Sequence, residues 1–197
     1  MKKITMKVLV VLILALTIAS CQQKAEKVEK EVIKEVYKPT DIQVLKAQYE
    51  LQAGLFSKNL NDISDTEADR RINNANSLAW IAGHMVDIQY NLAMLLGQAT
   101  ENPYAEQFAF GKAFDPKADH PSLSKMREDF DVLIPKIAEA LGNLTEEQLD
   151  SAAPFPLPFP EQTVRGLYGF QMHHLGYELG QIGLYRKFLG KTPFSYQ

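Results

Sequence analysis

Apolar residues recur at helical spacing in four long stretches of this chain, and no stretch keeps up a period-two alternation. Ile42, Leu45, Tyr49, Leu51, Leu55 and Leu60 fall at intervals that suit one face of a helix, and Thr40-Asp41 in front of them is a good N-cap pair. Residues 61–76 are mostly polar and read as a connection. The run SLAWIAGHMVDIQYNLAMLL, residues 77–96, is apolar on most sides, so it predicts a buried helix that Gly97 stops. A third helix is expected from Pro121-Ser122 to about Leu141, with Pro135 kinking or splitting it. The last is expected from Thr163 to Gly190.

Between these stretches lie two long connections. Residues 98–120 mix Gly, Pro, Asn and Asp with Tyr104, Phe108, Phe110 and Phe114, which predicts a loop held down by aromatic anchors, of the kind that often serves as a lid. NLTEEQL, from Asn143, reads as a short capped turn. APFPLPFP, from Ala153, reads as a stiff extended connector. The expected fold class is all-α, a four-helix bundle with long connections, in which inward side chains of facing helices can build a metal site.

The first forty residues have a different character. Lys2, Lys3 and Lys7 precede the apolar VLVVLILALTIA, which is short for a membrane span, and Ala19-Ser20 then precede Cys21. This is the layout of a secretory signal peptide over residues 1–20. The ending IASC resembles a bacterial lipobox, which marks Cys21, the single cysteine, for lipidation. Removing three lysines and no acid would take the formal charge from -3 to -6. An acidic chain without a dense basic stripe excludes nucleic acid as the expected partner. Residues 21–40 alternate Lys, Glu and Val and read as a charged tether. The bundle is expected over 41–190 and a short tail over 191–197. The chain is thus expected to be exported and anchored through lipid on Cys21 to the bacterial cell envelope, at the outer membrane or facing the periplasm.

Candidate chemistry lies in HHLGYELGQIGLYRKFLG, residues 173–190. His174 and Glu178, four apart, point only about 40° apart on a helix. Leu167, Phe170, Tyr177, Leu184 and Phe188 lie on or beside that stripe, so it is expected to face inward, with Gln171 and Gln181 extending it. An inward carboxylate needs a cation or strong donors. The second helix supplies His84 among Trp80, Ile81, Ile88 and Leu92, and Asp87 one turn on is placed to orient its ring or a site water. Two imidazoles and a carboxylate suit a divalent metal with a position left open. Ordinary alternatives remain at this point: a hydrogen-bonded core histidine at 84, and a simple intrahelical contact between His174 and Glu178. His173 points about 100° from His174 and is expected beside the site or part-exposed. His120 is expected at the surface, and Gly176, Gly180 and Gly183 suggest close helix approach.

These residues resemble the DinB-like metal-binding four-helix bundles. In that family the last helix often reads H-E-x-Y-H-x-G-Q, followed by Arg and Gly; here the run is His174-Leu175-Gly176-Tyr177-Glu178-Leu179-Gly180-Gln181, then Arg186 and Gly190. A second pattern, S-x-A-W-x-x-x-H ending in Leu-Gly, is matched by Ser77, Ala79, Trp80, His84 and Leu96-Gly97. The resemblance covers about residues 41–190. It implies His84 and His174 as metal ligands directly and Glu178 by position, because this chain has Glu where the family has its third histidine, and Leu175 in place of the glutamate of H-E. Asp87, Gln181 and Tyr177 are the residues expected around the ligands. Zinc is the foremost metal, with nickel, manganese or iron as alternatives. Family members include thiol-dependent transferases, isomerases and hydrolases; their thiol cofactors are cytosolic, which an exported chain would not meet. The expected function is therefore a metal-dependent hydrolase or transferase acting on a small molecule, or else a non-catalytic anchored binding or scaffold protein with a degenerate site. A homodimer is the remaining open partner.

Overall fold

The computed structural model describes residues 40–112, 115 and 118–192. The proposed signal peptide, Cys21, nearly all of the tether, the residues after 192, and Phe114 lie outside the described residues. Residues Asp41–Gln197 form a compact unit of their own. Among its described residues are four long helices, α1 (Asp41–Leu60), α3 (Leu78–Leu95), α5 (Leu123–Gly142) and α7 (Val164–Phe188), and three short ones, α2 (Asp65–Ala68), α4 (Ala105–Phe108) and α6 (Glu146–Asp150). There are no strands among the described residues, only an isolated antiparallel bridge between Ala152 and Thr163. The fold is all-α.

Local chemistry accounts for the boundaries. The side chains of Ser77, Ser122 and Thr163 accept from the backbone N–H three residues on, which satisfies an orphan donor of α3, α5 and α7. Gly97 and Gly190 follow α3 and α7 at φ 69° and 73°, the left-handed conformation that glycine adopts without a Cβ penalty. The NLTEEQL segment is α6, with Thr145 and Gln148 forming a capping box. α2 was not anticipated. It is a one-turn helix with the same device, Ser64 and Glu67 capping each other. Pro135 lies inside α5 and does not split it. The connector after α6 is not simply extended: Ala153 N donates to Gln162 O at 2.9 Å, and the Gln162 side chain holds both backbone groups of Leu157.

Around the bundle the long helices run in the order α1, α5, α3, α7, each packed on the next and α7 back on α1. Consecutive long helices α1 and α3 therefore sit diagonally, and so do α5 and α7. This explains the long connections: α2 and α4 lie in the first two and pack against α3, and α6 packs on α7. Tyr49, Phe56, Leu60, Leu78, Ile81, Met85, Leu92, Met126, Phe130, Ile137, Leu141 and Tyr185 fill the centre. Phe56 and Phe130 bring their rings to 4.0 Å between α1 and α5.

Two sequence expectations about faces need correction. On α1, Leu51 is exposed, while Ala53 and Phe56 are buried. On α7 the buried face is Leu175, Glu178, Leu179, Ile182 and Tyr185; Tyr177 is 62% exposed, and Leu184 and Phe188 also face out. Because α7 carries apolar residues on nearly every side, its stripe could not be oriented without knowing which neighbours it meets.

Candidate metal centre

α3 and α7 are adjacent in the bundle, and that adjacency brings His84 to His174 and Glu178. His84 (4% exposed) and Glu178 (4%) are buried, and the His174 side chain is 22% exposed. The imidazoles lie 5.4 Å apart between ring centres. His174 Nε2 is 3.4 Å from Glu178 Oε1. One ligand atom from each of the three residues falls within 4.8 Å of the other two. Ligand bonds of about 2.1 Å in a tetrahedral site put neighbouring donor atoms roughly 3.4 Å apart. The His174–Glu178 pair already has that spacing, and small side-chain movements would close the remaining gap. The donor set therefore fits a divalent ion, and the three side chains could hold one.

Each candidate ligand is held from outside. His84 Nδ1 meets the backbone carbonyl of Phe108 at 2.7 Å. A carbonyl only accepts, so Nδ1 carries the proton and Nε2 keeps a free lone pair. Trp80, one turn earlier on α3, stacks on the His84 ring at 4.8 Å. Phe170 lies 6.1 Å from His174 and is itself backed by Phe159 of the connector at 6.0 Å. Gln181 Nε2 donates to Glu178 Oε2, which leaves Oε1 on the His174 side.

The ring-orienting role expected of Asp87 falls to Phe108. Asp87 is buried, and its carboxylate accepts from Asn102 Nδ2 at 2.8 Å and from Asn91 Nδ2 at 3.4 Å. Burial pushes its carboxyl above the ordinary value, against the pull of Asn102, the nearby His84 and Asn91. Asp87 thus anchors the loop that delivers Phe108. Tyr104 anchors the same loop: it is buried, and its hydroxyl donates to Asp129 Oδ2 of α5 at 2.7 Å. Desolvation, then the Asp129 bond, push its phenol far up, so it stays protonated. Phe110, expected as a further anchor, is 94% exposed.

Other expectations resolve as follows. Tyr177 points to solvent, away from the ligands. His173 is exposed. His120 is not a surface spectator: its ring meets Asp69 Oδ1 at 3.1 Å and the Pro121 carbonyl at 3.0 Å, tying the loop to the end of α2. Gly176 and Gly180 do not mark close helix contacts. A Cβ on Gly180 would meet nothing within 4 Å, and one on Gly176 only Gln52 Oε1 at 3.6 Å. Close approaches are at Gly83, where a Cβ would fall under 3.0 Å from three ring atoms of Phe108, and at Gly166, where one would lie 2.5 Å from Glu161 O of the connector. Gly83 and Phe108 were not read from sequence as parts of the site. A glycine beside His84 in an apolar helix was the available signal.

A family model described as the DinB superfamily matches residues 48–182. The chain belongs to this superfamily. Among solved structures, one described as a conserved protein from Enterococcus faecalis is similar at 15% identity, with a TM-score of 0.54, over 78% of this chain and 100% of that one. At that identity the likeness speaks for the fold alone. Among functionally curated proteins no match was found.

Proposed function

We propose that this DinB-superfamily chain is an exported, lipid-anchored protein that binds a divalent metal, zinc foremost, through His84, His174 and Glu178 and acts as a hydrolase or transferase on a small molecule. The observation that carries the reading is the convergence of those three donors from two adjacent helices to within 4.8 Å. A divalent cation would supply Lewis acidity at that point. The chain's own groups supply the rest. Phe108 O fixes the His84 tautomer, Gln181 holds the far oxygen of Glu178, and Trp80 and Phe170 restrict the two rings. Three protein ligands leave a further position for a reactant. The part exposure of His174 is the side from which one would enter.

Elemental analysis tests the metal. The Asp41–Gln197 unit, refolded with zinc, nickel or manganese and desalted, should retain about one ion per chain, and His84→Ala or Glu178→Ala should retain almost none. Equal and negligible metal in all three would end the proposal. The anchor is tested separately: the full chain should fractionate with membranes, and Cys21→Ser should release it or leave it unprocessed. The part of the chain that would carry the anchor aside, no helix among the described residues is long and apolar enough to cross a membrane.

A non-catalytic reading has one observation in its favour. Glu178 already has His174 on one oxygen and Gln181 on the other, so the buried carboxylate has partners without an ion. On that reading the triple substitution of His84, His174 and Glu178 would leave the cellular role intact.

A further inference from the structure

Glu178 stands where the resembled pattern has a histidine, and the two side chains differ in what they can offer an ion. An imidazole binds through one nitrogen. A carboxylate binds through one oxygen or through both. What holds the second oxygen of Glu178 therefore decides how many ligand atoms the site has. Gln181, three residues on along α7, donates from Nε2 to Glu178 Oε2, while Oε1 is the oxygen 3.4 Å from His174 Nε2. Residues three apart are neighbours on a helix surface, so the pair is set by α7 alone. Glu178 is buried and Gln181 part-buried, which shields the bond from solvent.

The interior side of these ligands admits no water. His174 and Glu178 face Met85, Gln89, Gln171 and Leu175 across a gap too narrow for a water molecule. Gln89 Nε2, a donor on the wall of that gap, has no partner there, so the Glu178 carboxylate is held by Gln181 and not by Gln89. An ion that needs six oxygen-rich ligands usually keeps several waters, and none enters from this side. Zinc is content with four ligands, and borderline-soft imidazole suits it.

We propose that Gln181 is a positioning residue that selects the metal: by occupying Oε2 it makes Glu178 a one-oxygen ligand, which favours four-coordinate zinc over six-coordinate manganese. With Gln181 in place the protein contributes two nitrogens and one oxygen, and one position stays open. Without it, Glu178 is free to turn both oxygens to the ion, which raises the ligand count and fills the open position. The inference rests on the proposed metal reading and adds to it the residue that sets the coordination number.

Cobalt(II) is the probe, because its visible absorption is intense with four ligands and weak with six. The detergent-purified full chain loaded with cobalt should show the intense band. Gln181→Leu should still bind cobalt, with a severalfold weaker band, and its preference for zinc over manganese in competition titrations should fall by about tenfold. Glu178→His has no second oxygen, so adding Gln181→Leu to it should change neither the band nor the preference. Circular dichroism checks folding, and Gln181→Ala replaces the leucine variant if that one does not fold. An unchanged band and preference on loss of Gln181 overturns the inference. So does an equal change in the Glu178→His background, because Gln181 would then act through packing. Cobalt missing from the parent chain takes down the metal reading as well; cobalt bound with a band indifferent to Gln181 leaves that reading standing.

Discussion

At the scale of single residues, the candidate centre depends as much on the groups behind the ligands as on the ligands. Phe108 is the clearest case. Its ring sits on Gly83 and its carbonyl accepts a hydrogen bond from His84 Nδ1, so one residue of α4 sets both the position and the tautomer of an α3 side chain. Gly83→Ala should push the ring off α3 and loosen that bond. Partners of this kind typically matter 10–100-fold for metal affinity, so zinc binding should weaken by about tenfold or more while helix content stays the same. Titration against a chelator checks this. Glu178→His tests the departure from the family pattern: a third imidazole should raise zinc affinity if Glu178 is a ligand, and leave it unchanged if it is not. Arg186 is a residue of a different kind. Buried near the end of α7, it donates to Asn59 O and Asp62 Oδ1 at 2.6 Å each and to Thr192 O at 2.9 Å. Arg186→Ala would strip partners from all three and should cost roughly 2–4 kcal/mol, read from urea midpoints.

At the scale of elements, the helices were legible because their ends carry side-chain chemistry. Thr40-Asp41, Ser77, Ser122 and Thr163 stand where helices begin, and Gly97 and Gly190 where α3 and α7 end, and the observed spans depart from the expected ones by about a residue or two. The missed helix, α2, had a signal of the same type: Ser64-Asp65-Thr66-Glu67 is a capping box, passed over because its surroundings are polar. What the pattern could not supply is rotation. Tyr177, Leu184 and Phe188 are as apolar as Leu175, Leu179 and Ile182, and α7 meets α1 on one side and α3 on the other. Only that pairing selects which set is covered. Pro135 gives an element-scale prediction. It removes one helical donor from the middle of α5, where an interior proline costs about 3 kcal/mol relative to alanine in isolated helices. α5 nevertheless continues, so Pro135→Ala should stabilise the bundle by about 1–3 kcal/mol, seen as a higher melting temperature.

At the scale of the whole molecule, the diagonal placing of α1 and α3 decides where the site is. It sets α3 beside α7, so residues ninety apart in sequence share a few ångströms, and α4, packed on α3, delivers Phe108. The end of the bundle where α1 and α7 finish is closed by charge. Lys191 Nζ meets Glu67 Oε1 at 3.2 Å, and Arg186 holds Asp62. The Arg186 bond, against some desolvation, draws the Asp62 carboxyl below its ordinary value of 3.8. Since the folded value is the lower one, the contribution is fully present above about pH 4 and is lost as pH falls through the folded value. Asp62 is half exposed, so its share should not exceed about 1 kcal/mol. Urea midpoints measured from pH 5 down to 2.5 should fall less steeply for Asp62→Asn than for the parent chain.

The order of residues by itself determined that this chain makes helices, roughly where each starts and stops, and that His84, His174 and Glu178 were the residues to watch, because caps, glycines and four-residue spacings act within a few positions of the backbone. It could not determine which side of each helix is covered, or that Phe108 rather than Asp87 would hold His84. Those outcomes depend on which helices become neighbours. That choice is made by the summed burial of side chains far apart in the chain, and it exists only once the bundle has closed.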